Sequence, residues 1–264
     1  MRQLKADFGA SLFDPEPVAQ WLLPKKLREI SGLALTPDGR VMGHNDETAV
    51  IHQIDVETGA SAKRFSLGEP VLRGDFEGLA IDGGGDFYLA SSDGWVRRFR
   101  EGDDRAAVDF ESFDTGLGPV GEVEGLAFHE GQQLLIIACK RLYAPQLQGT
   151  LSLFAWSPRA PLSPAALWLS VSLEPLAEAV GARGLHPSSL EIDPVSGRLI
   201  LLAARENALL ELDEAGGLLA ARWLGRQHRQ AEGATILPDG SLVIADEGGH
   251  AQGTLTRYAR AHED

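Results

Sequence analysis

One short phrase recurs five times along this chain of 264 residues. It reads Ser31-Gly32-Leu33-Ala34, Glu77-Gly78-Leu79-Ala80, Glu124-Gly125-Leu126-Ala127, Ser188-Ser189-Leu190-Glu191 and Glu232-Gly233-Ala234-Thr235. Successive copies are 46, 47, 64 and 44 residues apart. Such a period marks supersecondary units that cannot bury an apolar face alone and must pack against their neighbours. Each phrase leads into a turn: Pro37-Asp38-Gly39, Asp82-Gly83-Gly84-Gly85, His129-Glu130-Gly131, Pro194-Val195-Ser196-Gly197 and Pro238-Asp239-Gly240. Pro presets φ, Asp bonds its own backbone, and Gly accepts positive φ, so these are chain reversals. Short apolar runs follow at 41–44, 87–90, 134–139, 199–204 and 242–245. They are too short for helices and are bounded by turn residues, so they read as strands.

A third strand is expected in each unit, at 49–55, 95–100, 151–156, 208–213 and 254–259. A fourth is expected in the first four units only, at 62–67, 107–113, 166–173 and 218–224. The counterpart of the absent strand stands at the other end of the chain. Val18-Ala19-Gln20-Trp21-Leu22-Leu23 resembles Ala166-Leu167-Trp168-Leu169 and Ala220-Ala221-Arg222-Trp223-Leu224. A ring of four-stranded blades protects its sheet edges only if it closes, and a strand borrowed from the N-terminus closes it. The expected fold is all-β: a five-bladed β-propeller of four-stranded blades, with an N-terminal strand completing the last blade. A single domain over 1–264 is expected, with blades at about 30–67, 76–113, 123–173, 187–224 and 231–259 plus 17–23. Two insertions account for the long interval. Tyr143 to Gly149 lengthens a loop of blade three, and Pro175 to Leu185 offers one helical turn before blade four.

The chain has 24 Lys and Arg against 38 Asp and Glu, a formal charge of −14. Binding to a phosphate backbone requires clustered cations, so nucleic acid is excluded as a partner. No apolar run reaches the roughly 18 residues of a membrane span. Met1 to Ala10 has no apolar export core, so a cytoplasmic monomer is expected, or a periplasmic one if an export segment precedes this sequence. The single cysteine, Cys139, excludes an internal disulfide; it ends an apolar strand and is expected to be buried.

The phrases Glu29-Ile30-Ser31-Gly32-Leu33, Phe76-Glu77-Gly78-Leu79-Ala80 and Gln230-Ala231-Glu232-Gly233, with Ile244-Ala245-Asp246-Glu247, resemble the SdiA-regulated domain family, the YjiK-like bacterial propellers. The resemblance runs from about residue 17 to 260. It implies a β-propeller with bound calcium, often in the cell envelope, and no settled activity. A weaker similarity, carried by the Glu-Gly-Leu phrases, is to the phytase-like esterase group. Ser31 and Ser188 stand where the other blades have Glu, so the ring is not uniformly acidic.

The phrase should open the innermost strand of each blade, which places Ser31, Glu77, Glu124, Ser188 and Glu232 at one level of the channel. Three converging carboxylates repel one another and must take up a proton or a cation. An oxygen-only donor set suits calcium or magnesium and disfavours zinc or copper. The alternative is that each Glu bonds backbone N–H groups of the next blade and locks the ring. A second level, at the channel mouth, should hold Asp46, Asp93, Lys140, Arg205, Glu206 and Glu247 as contacts for a small polar or anionic ligand. His44, Asp46 and Lys140 are the candidate catalytic groups there. Three functions follow. The first is a calcium-containing propeller binding a small polar ligand at its mouth. The second is a calcium-dependent hydrolase of a lactone, ester or phosphoester. The third is a protein-interaction scaffold.

Overall fold

The computed structural model describes residues 11–261; the segment Met1 to Ala10, read above as lacking an export core, lies outside them. Five antiparallel sheets stand around one axis. Blade one contains Ile30–Leu35, Val41–Asn45, Val50–Ile54 and Ser61–Leu67, counted from the axis outward. Blade two contains Phe76–Ile81, Asp86–Ser91, Trp95–Arg100 and Phe110–Asp114. Blade three contains Gly121–His129, Leu134–Leu142, Thr150–Trp156 and Ala166–Ser172. Blade four contains Ser189–Ile192, Leu199–Ala203, Ala208–Leu212 and Leu218–Trp223. Blade five contains Ala231–Ile236, Leu242–Asp246, Thr254–Arg260 and, as its outer strand, Phe13–Leu22.

The glycine of the repeated phrase is explained by this geometry. Inner strands of neighbouring blades approach most closely at the axis. A Cβ on Gly78 would lie 2.7 Å from Cβ of Leu126 in the next blade, and one on Gly125 would lie 2.9 Å from the backbone nitrogen of Leu190. Both separations are below van der Waals contact, so a side chain there would push the blades apart.

The apolar core is divided among the five blade interfaces. Met42, Phe65, Phe87 and Phe99 fill the space between blades one and two; Tyr88, Ile137 and Trp156 that between two and three. Leu153, Leu201 and Leu210 lie between three and four, and Leu202, Leu209, Ile244 and Tyr258 between four and five. Leu23, Leu27, Ile30, Val243 and Leu255 seal blade five against blade one. The N-terminal strand pairs antiparallel with Thr254–Arg260, from Leu22 opposite Thr254 to Phe13 opposite Arg260. Its start is latched by the fully buried Glu211 of blade four, which accepts the Leu12 N–H at 2.9 Å and pairs with Arg198 at 2.9 Å. Arg260 reaches back to the buried Asp193 with two bonds, at 2.5 and 3.0 Å. These carboxylates are matched by donors, the condition under which a buried charge does not destabilise.

Two expectations change. The stretch 107–113 is not one strand. Ala107–Val108 runs parallel to the outer strand of blade one, and Phe110–Asp114 forms the fourth strand of blade two. The connection thereby covers an edge that blade one would otherwise leave unpaired. In the blade-three turn the left-handed residue is Gln133, with φ 56°, rather than Gly131. The insertion before blade four forms a short helix, Leu173–Ala179. No helix among the described residues is long and apolar enough to cross a membrane.

Candidate functional site

The repeated phrase places Glu77, Glu124 and Glu232 where the first level was expected, on inner strands of three blades. Each is largely buried, and none bonds the backbone of the next blade. Glu77 accepts the hydroxyl of Ser31 at 2.8 Å across the boundary between blades one and two. Glu124 is bonded by the ammonium of Lys140. Glu232 keeps Oε2 buried with no hydrogen-bond partner. Ser188 plays a different part. Its Oγ donates to the Ala231 carbonyl of blade five at 2.7 Å and accepts the Ala204 N–H at 3.0 Å, so this hydroxyl is the blade lock.

Lys140 therefore belongs to the axial level rather than to the mouth. Its strand continues to Leu142, and the long side chain carries the ammonium back to Glu124. Burial is the largest single influence and would depress its pKa, but the Glu124 bond and the charges of Glu124, Glu232 and Glu77 together outweigh it and raise the pKa. All three glutamates are pushed up, first by burial. For Glu77 the nearby Glu124 carboxylate adds to the effect. For Glu124 the Lys140 ammonium opposes it. Glu232 is pushed up to about 8, by burial and then by Glu124. Lys140 thus bonds one of the three carboxylates and attracts the other two from farther away, so protons or a further cation would balance the remaining charge.

Of the remaining mouth residues, Asp46 and Glu247 are near enough that the Asp46 charge, after burial, helps raise the Glu247 pKa, and the others make local bonds. Asp46 is partly buried, and its Oδ1 has no partner. Burial and then the Glu29 charge raise its pKa. Asp93 accepts the Ser91 hydroxyl at 2.5 Å. Glu206 receives both the His186 N–H at 3.0 Å and its imidazole Nδ1 at 2.8 Å, and Arg205 lies 3.4 Å from the same ring. Glu247 is bonded by the Gln230 amide. His44 is fully buried behind Gly32, where a Cβ on that glycine would meet Nε2 at 2.5 Å. Its Nδ1 donates to the Asn45 carbonyl at 2.9 Å, and burial lowers its pKa to about 4. A neutral imidazole sealed from the channel is not placed as a base at the mouth. Cys139 is buried, and burial pushes its thiol up to about 12.

Two features were not read from the sequence. At the opposite end of the channel, Glu191 occupies the fourth position of the phrase, where the other blades have Ala34, Ala80, Ala127 and Thr235. All five line a cavity of about 410 Å3. Burial pushes Glu191 up to about 7. The departure from the repeat was the available signal. The second feature is a buried network in blade five. His228 Nδ1 donates to Asp246 Oδ2 and its Nε2 accepts the Tyr258 hydroxyl, each at 2.6 Å. It is ordered like a nucleophile–base–acid relay, but the phenol at its end is completely buried, so it anchors rather than attacks. His228 lies in a connector that has no repeat, and no sequence pattern marks it.

No protein-family pattern matches the chain, and no curated protein sequence matches it. Solved structures do. The glutaminyl cyclase of Myxococcus xanthus superposes with a TM-score of 0.61 at 16% identity, over 94% of this chain and 97% of that one. A luciferin-regenerating enzyme gives 0.56 at 11% identity, over 92% and 95%. The PQQ-bound aldose sugar dehydrogenase of Streptomyces coelicolor gives 0.52 at 14% identity, over 92% and 99%. At these identities the likeness shows a shared fold and nothing further.

Proposed function

We propose that this chain is a ligand-binding propeller whose axial carboxylates hold a divalent cation of the calcium class, beneath a small polar ligand at the channel mouth. One observation carries the reading. Glu232 Oε2 is buried without a partner, beside two more carboxylates, and the Lys140 ammonium is bonded to Glu124. A buried, unpartnered carboxylate oxygen is costly, and a cation removes that cost. The donors are oxygens, which suits calcium, and the resemblance to the SdiA-regulated propellers agrees. Glu77, Glu124, Glu232 and Ser31 would hold the ion; Ser188 is committed to its blade lock. Among the described residues no three acidic, His or Cys side chains are gathered about one point, and Lys140 occupies Glu124. The ion and Lys140 therefore compete for that carboxylate. When bound, the ion would supply positive charge that polarises an oxygen of the ligand.

Hydrolysis of a lactone, ester or phosphoester is the second reading. It requires a base, and Asp46 is the group that favours it, because its raised carboxyl and unpartnered oxygen are those of a potential proton acceptor. The decisive test is thermal unfolding with chelator and with added calcium. A ligand at a hundredfold excess over Kd stabilises the native state by about 2.7 kcal/mol. The wild type should lose stability in chelator and regain it with calcium, while Glu77→Gln/Glu232→Gln should respond to neither. A wild type indifferent to both, with no divalent metal by elemental analysis, would overturn the reading.

A further inference from the structure

We propose that a second site, over the outer half of blade five, binds a small polyanion carrying two or more phosphate or carboxylate groups. The net charge of −14 makes any concentration of unpaired cations informative. A cavity of about 760 Å3 is lined by Lys25, Arg28, Arg226 and Arg229, with His250 beside them. Lys25 and Arg28 come from the connector leading out of blade five, and Arg226 and Arg229 from the connector leading into it. The side chains of Lys25, Arg226 and Arg229 make no hydrogen bond or ion pair with another described residue. Arg28 pairs with Glu29 at 2.5 Å. Gln20, Gln227, Gln252 and Thr254 add neutral hydrogen-bonding groups to the wall.

The framework is fixed before any ligand arrives. His228, held by Asp246 and Tyr258, is a buried peg between the two arginines of its connector. Asp246 Oδ1 also accepts the backbone N–H of Arg229 at 2.9 Å and of Gln230 at 3.2 Å. The loop beyond Asp246 is tied to both connectors: Glu247 N–H donates to the Gln230 carbonyl, Gly248 N–H to Arg28 and Leu23 N–H to Gly253, all within 2.8 Å. Two carboxylates, Asp246 and Glu247, also line the cavity. Both are held by hydrogen bonds, Asp246 as described and Glu247 by the Gln230 amide, and the four cationic side chains outnumber them. Guanidinium groups bind phosphate and carboxylate through paired N–H donors. The volume exceeds that of a single inorganic anion and suits a metabolite.

Titration calorimetry tests this on protein stripped of metal over a chelating resin, so that the axial site plays no part. The probes are inorganic pyrophosphate and citrate. We expect one saturable site for at least one of them, weakened by salt because the attraction is ionic. Arg226→Gln/Arg229→Gln should weaken binding at least tenfold without changing Tm, since both side chains are exposed. Lys25→Gln, on the opposite connector, should weaken it too and stands in if the double variant fails to fold. Arg105→Gln, an exposed cation beside the outer strand of blade one and outside the cavity, should have no effect. Preference for pyrophosphate assigns a phosphorylated ligand, and preference for citrate a polycarboxylate. The inference is overturned if neither anion binds saturably at millimolar concentration, or if Arg105→Gln weakens binding as much as the cavity variants.

Discussion

The two ends of the channel are built from the same five inner strands, three residues apart, and differ in how charge is handled. At one end Glu77, Glu124 and Glu232 act on one another through their charges, and Lys140 is bonded to Glu124. At the other, Ala34, Ala80 and Ala127 surround Glu191, whose Oε1 accepts the N–H of Ile192 at 2.8 Å. Glu232 and Glu191 are pushed up to about 8 and about 7. In both, burial is the first cause; for Glu232 the Glu124 carboxylate comes next, whereas for Glu191 the Asp193 charge comes last, after bonds from Ile192 and Thr235 that oppose the rise. A cation can therefore relieve the acidic end, whereas the apolar end is relieved by protonation or by an uncharged residue.

The largest effect expected from breaking this contrast is that of Lys140→Met in metal-stripped protein. Removing one partner of a fully buried ion pair costs about 3–5 kcal/mol. The Lys140 head is partly solvated, so about 2–4 kcal/mol is expected near pH 8, or roughly 5–10 °C in Tm. The loss depends on pH. Glu232 has its folded pKa raised from 4.5 to about 8, so its contribution to stability is greatest below 4.5 and is lost as pH rises through 8. Near pH 5 the glutamates hold their protons, and the variant should melt close to wild type. A melting difference that is the same at pH 5 and pH 8 would show that Lys140 acts by packing and not by charge.

The middle effect belongs to the apolar end. Glu191 has its pKa raised from 4.5 to about 7, so wild-type stability should fall as pH rises across that window. Glu191→Gln removes the titration. It should match wild type below about pH 4.5 and exceed it above pH 7, by about 1–2 kcal/mol after allowance for partial exposure. Calcium should leave this difference unchanged, because the ion is proposed for the other end. Calcium sensitivity of the Glu191→Gln difference would mean that the two ends are coupled.

How far the sequence reached follows the same division. Blade number, strand order and ring closure were legible because a close-approach glycine and a turn recur in every blade, whatever the function. The acidic level was legible for the same reason, since Glu77, Glu124 and Glu232 occupy one position of the phrase. Lys140 was placed one level too high, because periodicity locates a Cα and a side chain of that length can return to a neighbouring level. His44 looked available from its place at a strand end, but the inner-strand glycine in front of it lets the imidazole pack inward. The cations around blade five lie in connectors, which have no repeat, and only the fold assembles them.

The smallest effect concerns Thr235, the neighbour of Glu191 at the apolar end. Its hydroxyl is fully buried, and Oγ1 has no partner in hydrogen-bonding geometry. It nevertheless lies near enough to Glu191 to lower that group's pKa slightly against the larger effect of burial. Thr235→Val keeps the branched shape and removes the hydroxyl. A buried hydroxyl left unbonded costs about 1–3 kcal/mol, so the variant should be more stable than wild type, by about 1 kcal/mol given the residual attraction to Glu191. The gain should be largest below pH 4.5, where Glu191 is protonated, and shrink above pH 7, where the carboxylate forms and the hydroxyl can donate to it. Denaturant melts at pH 4.5 and pH 8 measure this directly. A destabilised variant at both values would mean that the hydroxyl has a permanent acceptor, and that the apolar end satisfies its polar groups as fully as Ser188 does in locking blade four to blade five.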